Sequence, residues 1–254
     1  MSESIANIKS LYKNKTIDEL PLFIAEFEAD ERAGVKQIVN SAKNKLLALE
    51  KEKKRVKIMR EYDNKVCPSG YLCGIDEVGR GPLAGPVCAG AVILPRDEEI
   101  LYLNDSKQLS EKKREELYDI IMDKAISVSV CFRSPERIDE INILEADYEA
   151  MEEAVSKLTV KPDILLLDAV HVPQLESYEQ VSVIKGDTLS ASIAAASIVA
   201  KVVRDRYMVE MDAKYPEYGF ASNKGYGSAQ HIAALKKYGP CEIHRRSFIG
   251  NFIK

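Results

Sequence analysis

The segment from Cys73 to Val87, C-G-I-D-E-V-G-R-G-P-L-A-G-P-V, constrains the fold of this chain more than any other. An apolar run ends there in two adjacent carboxylates, Asp76 and Glu77, and a Gly-Arg-Gly turn at 79–81 follows at once. Glycine in such a turn allows backbone conformations that other residues avoid, and it leaves N–H groups open to a ligand. Paired carboxylates can hold a hard divalent cation. The segment therefore predicts a strand that ends at a ligand-binding edge.

Two further carboxylates close segments of the same kind. Asp168 ends the apolar run L-L-L-D, and Asp187 closes K-G-D just before a long alanine-rich stretch. Gathered carboxylates repel one another unless cations compensate their charge. A set of oxygen ligands without histidine or cysteine favours Mg²⁺ or Mn²⁺ over zinc. The four acids therefore indicate a candidate site for hard metal ions.

In their order and spacing these segments resemble the bacterial type 2 ribonucleases H, specifically the ribonuclease HII family. The resemblance extends from Tyr71 to about Phe248. It rests on D-E-V-G-R-G-P-L-A-G-P, D-S-K-Q-L, L-L-D, K-G-D with S-I-A-A-A-S-I-V-A-K-V-x-R-D, and G-Y-G-S-A-Q-H. One departure is Ala169, since the family usually has glycine after this aspartate. Residue 169 is not a metal ligand in the family, so we expect little effect on the chemistry.

The resemblance implies an enzyme, a metal-dependent endoribonuclease. It would hydrolyse the RNA strand of RNA–DNA hybrids and incise duplex DNA 5′ to a single embedded ribonucleotide, leaving 3′-hydroxyl and 5′-phosphate ends. Two divalent ions, Mg²⁺ or Mn²⁺, would be held by Asp76, Glu77, Asp168 and Asp187, with Asp76 bridging both. The implied partners are RNA–DNA hybrids and ribonucleotide-containing DNA, and the implied role is ribonucleotide excision. We expect a monomer without membrane association.

The resemblance also implies a set of substrate-binding residues. The backbone of Gly79, Arg80 and Gly81 would meet the ribose 2′-hydroxyl, the group that distinguishes RNA from DNA. Tyr226 would contact the same hydroxyl and stack on the next sugar, while Lys107 and Lys185 would contact phosphates. On residue type alone, an exposed turn arginine, a packing tyrosine and solvated lysines remain open alternatives.

One geometric difficulty accompanies the carboxylate pair. Adjacent residues of a regular strand point to opposite faces, so both side chains can aim inward only if the strand bends. Gly79, directly after the pair, is the predicted position of that bend.

Two alternative functions remain open on the sequence. The sister class, ribonuclease HIII, shares the four-acid chemistry but cleaves poorly at single ribonucleotides. A catalytically silent hybrid-binding module is the second alternative, although the presence of all four acids argues against it. A metal-dependent incision assay distinguishes these functions.

Composition excludes some classes of protein. The 254 residues carry a net charge of −4, so phosphate contacts must come from local basic patches and bound metal ions. Five scattered cysteines contain no C-x-x-C pair and suggest neither zinc nor disulfides. The N-terminus lacks an apolar signal core, and no apolar run approaches about 18 residues. We therefore expect a cytoplasmic protein.

The predicted fold class is α/β: a ribonuclease H-like mixed sheet flanked by helices, with an N-terminal helical extension. Residues 1–70 are predicted as that extension, offered as a substrate-binding element, and 71–254 as the catalytic domain with C-terminal helices. A helical pattern runs from Thr16 to about Tyr62, and 64–70 is predicted as a linker. Strands are predicted at 71–76, 87–94, 126–132, 163–168 and 180–184, and helices at 111–124, 144–158, 190–214 and 229–238.

Several other residues receive predictions of their own. The three histidines, at 171, 231 and 244, show no ligand spacing and are interpreted as surface or structural, with His244 and Arg245 near the substrate. Asp205 is predicted to pair with Arg204 or Arg206. Nine basic and four acidic residues between Lys43 and Lys65 predict a basic helical face that binds the duplex backbone, with an inert solvated face as the alternative.

Overall fold

A computed structural model describes residues 3–253 of the chain, which form two compact units divided between Lys57 and Ile58. The N-terminal unit contains α1 (Ile5–Asn14), α2 (Leu20–Phe27) and the first part of α3 (Ala33–Val66). The division therefore falls within a helix, whereas the sequence analysis set its boundary at residue 70.

The N-terminal unit has an apolar core of its own. An apolar stripe of α3 is buried through Val35, Ile38, Val39 and Ala42, which pack with Phe23 and other apolar residues of α1 and α2. The helical pattern predicted from Thr16 to about Tyr62 is confirmed, but a turn at 28–32 divides it into α2 and α3. The chain leaves the helix after α2 because the Asp30 carboxylate accepts a hydrogen bond from the Arg32 backbone N–H at 2.9 Å, which stabilises a turn.

The second unit is built on a mixed sheet of five strands in the order β3-β2-β1-β4-β5. β1 pairs antiparallel with β2, which pairs antiparallel with β3, whereas β1–β4 and β4–β5 are parallel. This arrangement confirms the predicted mixed sheet. The strands are β1 (Leu72–Val78), β2 (Val87–Ile93), β3 (Ser127–Arg133), β4 (Ile164–Asp168) and β5 (Glu179–Val183).

Helices cover both faces of this sheet. They are α4 (Glu111–Lys124), α5 (Pro135–Ile141), α6 (Ile143–Ser156), α7 (Gly186–Leu189), α8 (Ala191–Lys214), α9 (Phe220–Asn223), α10 (Ala229–Tyr238) and α11 (Arg246–Ile249). Apolar residues of α6 pack on one face, and those of α4 and α8 pack on the other. The four predicted helices of this region are confirmed to within two residues at each end.

The start of α8 lies directly against β1. A methyl group added at Gly74 would lie 2.1 Å from the backbone carbonyl carbon of Ser192, and one at Gly90 would lie 2.7 Å from the carbonyl oxygen of Ala196. Only glycine in the strands and small residues along α8 allow backbones to approach so closely. This approach explains the alanine-rich sequence, and it fixes the N-terminal end of α8 at the centre of the sheet.

The last turns of α3 belong to this second unit, where Asp63 is the centre of a buried polar network. Its carboxylate accepts hydrogen bonds from Ser190 Oγ at 2.5 Å, from Ser192 N at 3.1 Å and from Ser192 Oγ at 2.9 Å. Arg60 Nη1 donates to it at 2.9 Å, while Arg60 Nη2 donates to the Pro95 carbonyl. The helix therefore continues through the first part of the predicted linker and anchors the start of α8.

Across residues 3–253, every helix is too short or too polar to span a lipid bilayer. All five cysteines are free thiols, and those at 73, 88 and 131 are buried.

Candidate active site

The two adjacent carboxylates lie on opposite faces of β1. Both residues stay in the antiparallel ladder, with Asp76 opposite Gly90 and Glu77 opposite Ala89. The alternation therefore continues to the end of the strand. Asp76 shares the α8 face with Gly74, and Glu77 shares the α6 face with Ile75. The backbone turns only afterwards, at Gly79, where φ is +93°. The predicted bend thus lies beyond the pair and does not turn both side chains inward.

Asp168 lies next to Asp76 on the same face of the sheet. In the parallel ladder Ile75 is paired with Leu167, so the following residues, Asp76 and Asp168, come side by side where both strands end. The Asp168 Oδ1 atom accepts a hydrogen bond from the Gly186 N–H at 2.7 Å. That bond brings the turn carrying Asp187 to the same edge. Three of the four predicted acids therefore meet on one face, and Glu77 approaches from the other.

The backbone at Ala169 gives a physical reason for the glycine expected at this position. Its φ is +56°, the left-handed region, in which a side chain costs about 1–2 kcal/mol. Its N–H donates to the Val183 carbonyl of the neighbouring strand at 3.0 Å, so the conformation is fixed by the sheet. Alanine at position 169 therefore adds backbone strain, but it leaves the Asp168 carboxylate in place.

The carboxylates of this cluster have too little positive charge near them to compensate their own negative charge. Burial raises the pKa of Asp76 well above its ordinary range, and the charges of Glu77 and Asp168 raise it further. Burial also raises the pKa of Glu77. The pKa of Asp187 rises to about 6 because of burial and the charges of Asp105 and Asp168. The ionised form of each of these three carboxylates therefore needs a cation nearby.

Lys107 supplies part of that positive charge. It lies in a short 3-10 helix, Ser106–Gln108. Asp105 precedes this helix and caps it, because the Asp105 side chain accepts a hydrogen bond from the Lys107 N–H. Burial alone would lower the pKa of Lys107, but Asp105, Asp76 and the other nearby acids raise it overall. The D-S-K segment therefore delivers an ammonium group to the carboxylate cluster, in the region predicted from the sequence.

The donor set fits hard divalent ions by its chemistry. The four acids offer oxygen ligands only, and the raised pKa values of Asp76, Glu77 and Asp187 are typical of a site that binds cations. In the described part of the chain, no three or more acidic, histidine or cysteine side chains already converge as a complete metal shell. Asp76 instead accepts the N–H of Glu77 at 2.8 Å, and Asp168 accepts that of Gly186.

The glycine turn and Tyr226 face each other beside the carboxylates. Gly81 is exposed, and a methyl group added there would meet only Tyr226 Cε1, at 3.9 Å. Gly225, with φ of +87°, packs so tightly that a methyl group would lie 2.2 Å from the Ala84 carbonyl oxygen. This contact positions Tyr226, whose residue is 43% exposed and so is not a core aromatic.

A groove of about 600 Å³ extends from this point along α8. Its lining includes Lys107, Lys201, Lys224 and Tyr226, so its charge suits a phosphate backbone. Asp205 also lines it and pairs with Lys201 at 2.7 Å, whereas the predicted pairing with Arg204 or Arg206 was wrong. Lys185 stands apart from the groove lining; it is exposed, with a left-handed backbone (φ +59°), two residues before Asp187.

Two buried histidines, joined by a hydrogen bond, lie next to Tyr226. His231 Nδ1 donates to the Tyr226 carbonyl at 2.8 Å, which leaves its Nε2 to accept from His244 Nε2 at 3.0 Å. Burial and the neighbouring ring lower the pKa of His244 to about 4, and burial lowers that of His231. The pair is therefore neutral and structural, one of the two roles predicted from the sequence.

Asp147 also belongs to this region, although it was not predicted from the sequence. It lies fully buried on α6, and neither carboxylate oxygen has a hydrogen-bond partner. Arg80 Nε is 3.6 Å from its Oδ2, and Arg80 Nη1 is 3.8 Å from Glu77 Oε1. The signal was available, because an acid at 147 falls on the apolar stripe of Ala150, Met151 and Ala154.

We expect Asp147→Asn to stabilise the protein, and to do so much more at pH 8 than at pH 5. Burial and the charge of Glu77 raise the pKa of Asp147 to about 8. The folded state therefore retains a proton that the unfolded state loses above about pH 4. The free energy of unfolding therefore falls as pH rises from about 4 to about 8, because the folded state binds one more proton than the unfolded state over this range. Each pH unit between these two values costs about 1.4 kcal/mol, so removing the charge should recover on the order of 3 kcal/mol more at pH 8 than at pH 5.

Urea unfolding at both pH values measures this difference. Glu152→Gln, an exposed change on the same helix, is the matched control and should show no pH-dependent gain. An Asp147→Asn effect of equal size at pH 5 and pH 8 would contradict the assignment of a buried carboxylic acid.

Comparison with known proteins identifies the relatives of this chain. The protein-family model "Ribonuclease HII" matches residues 73–251, and "Ribonuclease HII N-terminal domain" matches residues 4–67. The chain belongs to the ribonuclease HII family. The ribonuclease HII of Lachnoclostridium phytofermentans is 61% identical over 226 residues, covering 89% of each chain. That of Acetivibrio thermocellus is 50% identical, covering 97% of this chain and 95% of its relative.

A solved structure shows the same fold. The ribonuclease H2 from Pyrococcus horikoshii OT3 superposes with a TM-score of 0.60 and 30% identity, covering 70% of this chain and 93% of that one. Membership of the ribonuclease HII family places the chain among the ribonucleases. The N-terminal match and the identities to ribonucleases HII decide between this family and the ribonuclease HIII class.

Proposed function

We propose that this ribonuclease HII family member cleaves RNA strands in RNA–DNA hybrids and incises duplex DNA 5′ to single ribonucleotides. The products would carry 3′-hydroxyl and 5′-phosphate ends. The observation that supports this function best is the meeting of Asp76 and Asp168, where β1 and β4 end, with the open turn that follows β1. A hydrolytic centre and a sugar-reading surface would then lie side by side at the end of β1.

Asp76, Glu77, Asp168 and Asp187 would hold two divalent ions, Mg²⁺ or Mn²⁺, with Asp76 shared between them. The chemistry that such ions supply when bound is activation of water and stabilisation of the leaving oxygen. Lys107 would attract a phosphate to the edge of the acidic cluster, and Lys185 would do so from the turn before Asp187. The groove lined by Lys201 and Lys224 would follow the backbone away from the cleavage position.

The sugar would be read by the turn and by Tyr226. The N–H groups of Arg80 and Gly81 donate no hydrogen bond to any described residue, so they are available to a ribose 2′-hydroxyl. Tyr226 faces Gly81 and would complete the contact, with its ring against the following sugar. A deoxyribose at the same position would leave the donors without a partner, which is how a site discriminates against a missing hydroxyl.

The direct test is incision of a labelled duplex that carries one ribonucleotide, with Mg²⁺, Mn²⁺ or EDTA. We expect a single cut 5′ to the ribonucleotide with either ion and none with EDTA. An all-DNA duplex is the control and should remain intact. Tight binding of the ribonucleotide duplex without any cut would instead support a silent hybrid-binding module.

Tyr226→Phe should lower incision at a single ribonucleotide about tenfold, since one hydroxyl contact contributes about 1 kcal/mol or slightly more. Tyr226→Ala should lower it further because the stacking surface is also lost. Divalent-ion binding, measured by calorimetry, should stay unchanged, since the carboxylates lie elsewhere. Tyr238→Phe, at another exposed tyrosine, is the matched control. Equal incision by wild type and both Tyr226 variants would leave Tyr226 with a packing role only.

We further propose that the helical N-terminal region, predicted as residues 1–70, binds the duplex backbone without reading base or sugar. Its support is the run of exposed lysines on α3 at 45, 51, 53 and 54. Because Arg60 and Asp63 belong to the core of the second unit, deletion to residue 65 would damage that unit. Charge-neutralising changes in the full chain are therefore the better test.

Replacing Lys51, Lys53 and Lys54 by glutamine should weaken duplex binding and flatten its salt dependence. Each lost phosphate contact should reduce the slope of log affinity against log salt by about 0.9. The cleavage position should not move. The matched control replaces three exposed lysines of the same unit, Lys9, Lys13 and Lys36, and removes the same charge. Equal slopes for the two triple variants would favour an inert solvated face.

The proposed setting is the cytoplasm, where a monomer would act in ribonucleotide excision and DNA repair. Free thiols at all five cysteines are compatible with a reducing compartment.

A further inference from the structure

Two arginines are completely buried beneath the turn that follows β1. Arg204 on α8 and Arg245 before α11 are each 0% exposed, and they are the largest fully buried side chains of the described residues. Within residues 3–253, neither forms an ion pair with a carboxylate inside 4 Å. Burying a guanidinium without a carboxylate is costly, so these two residues need another source of compensation.

That compensation comes from backbone carbonyl groups of one loop. Arg245 donates to the carbonyls of Gly79 at 2.5 Å, Arg80 at 2.9 Å and Gly85 at 2.9 Å. Arg204 donates to the carbonyls of Ala84 at 3.3 Å and Pro86 at 2.9 Å, and to that of Lys224 at 3.0 Å. Five of the six acceptors therefore lie between Gly79 and Pro86.

The loop is shaped to receive the two guanidinium groups. A methyl group added at Gly79 would lie 2.3 Å from Arg204 Nε, and one at Gly85 would lie 3.2 Å from Arg204 Nη2. Both glycines have positive φ, +93° and +86°. Burial and the charge of Arg204 lower the pKa of Arg245 to about 9, which still leaves it charged at neutral pH.

The direction of these carbonyls fixes the direction of the amides that follow them. The described residues contain no cis peptide bond, and in a planar trans peptide the C=O and the next N–H point in opposite directions. Arg245 holds the carbonyls of Gly79 and Arg80 inward. The N–H groups of Arg80 and Gly81 must therefore point away from Arg245, on the side where Gly81 is exposed and faces Tyr226.

We propose that Arg245, assisted by Arg204, is a positioning residue that aims the Arg80 and Gly81 N–H groups outward and so sets the discrimination between ribose and deoxyribose. Arg245 touches no substrate itself, since it is fully buried. The expectation that Arg245 lies near the substrate stays a prediction, and in this proposal Arg245 acts through the turn that it holds. The inference rests on the proposed function, and it assigns sugar selection to residues distant in sequence from the turn.

The test compares affinities for two duplexes that differ by a single 2′-hydroxyl. Binding is measured in EDTA, where no hydrolysis occurs, and the ratio of the two dissociation constants is the readout. Arg245→Lys keeps the charge but cannot donate to three carbonyls from a planar fork. We expect the preference for the ribonucleotide duplex to fall about tenfold, with affinity for the all-DNA duplex unchanged. Arg246→Lys, the same change at the exposed neighbouring residue, should keep the wild-type ratio.

Arg204→Lys provides a second and independent variant. It loosens the Ala84 and Pro86 carbonyls and the packing beneath Gly79, so the ratio should fall at least threefold. Thermal unfolding of each variant confirms that it is folded, and Arg204→Lys decides the question if Arg245→Lys does not fold. A wild-type ratio in a folded variant overturns the inference. Absence of any preference in the wild-type protein would instead contradict the proposed sugar reading itself.

Discussion

Asp76→Asn should lower the rate of incision by about 10³-fold or more while the protein remains folded. Asp76 is 7% exposed and lies beside Asp168, so its carboxylate is one of those that would hold the proposed metal ions. Loss of about 4 kcal/mol of transition-state stabilisation corresponds to a thousandfold loss in rate. Asparagine retains the shape of the side chain but removes its charge, so the fold has no reason to fail.

The same substitution should stabilise the metal-free protein at neutral pH. Burial raises the pKa of Asp76, so ionisation costs folding free energy once pH exceeds the unfolded-state value. Incision kinetics with Mg²⁺ and urea unfolding in EDTA measure the two effects. Asp123→Asn, an exposed change on α4, is the control and should alter neither. Near-normal turnover by Asp76→Asn would disprove the assignment of the four acids.

Asp63→Ala should destabilise the second unit by about 3–5 kcal/mol, the cost of leaving one partner of a buried ion pair alone. Asp63 is 2% exposed and Arg60 is 6% exposed, so water cannot replace the lost carboxylate. The hydroxyl groups of Ser190 and Ser192 would also lose their acceptor at the start of α8. The midpoint of urea unfolding should fall accordingly.

Asp97→Ala removes an exposed aspartate of the same unit and serves as the control, with an expected change below about 0.5 kcal/mol. A loss of less than about 1 kcal/mol in Asp63→Ala would show that the network contributes little beyond its packing. Double replacement of Arg60 and Asp63 by apolar residues should be milder than Asp63→Ala, because no charge is then left without a partner.

The sequence predicts the strands and the helices around the sheet because their patterns are local. The interruption before α3 escaped prediction, since an Asp30 turn inside a helical pattern has no strong breaker such as proline. The opposite faces of Asp76 and Glu77 depend on how far the ladder with β2 continues, which is a tertiary property. The placement of β4 beside β1 likewise follows from pairing between distant segments.

Buried residues that contact the site only through other residues were the hardest to recognise from the sequence. Arg245 stands in H-R-R-S, which has the appearance of an exposed basic segment, and only its carbonyl partners in a distant loop show its burial. Asp147 occupies a core position of α6, but a single acid on an apolar stripe does not reveal Arg80 and Glu77 as its neighbours. Sequence patterns report periodicity, whereas these roles depend on contacts across the fold.

The position of β1 at the centre of the sheet has a consequence for synthesis on the ribosome. β1, β2 and β3 emerge in succession and can form an antiparallel meander early, but the parallel partner β4 and the covering helix α8 emerge later. Asp63 cannot form its hydrogen bonds with Ser190 and Ser192 until these residues are synthesised, 127 and 129 residues later. Until then one edge of β1 and the face around Gly74 stay uncovered, which is the situation that favours aggregation of nascent chains. Chaperone demand should therefore be greatest while translation passes between β3 and the end of α8.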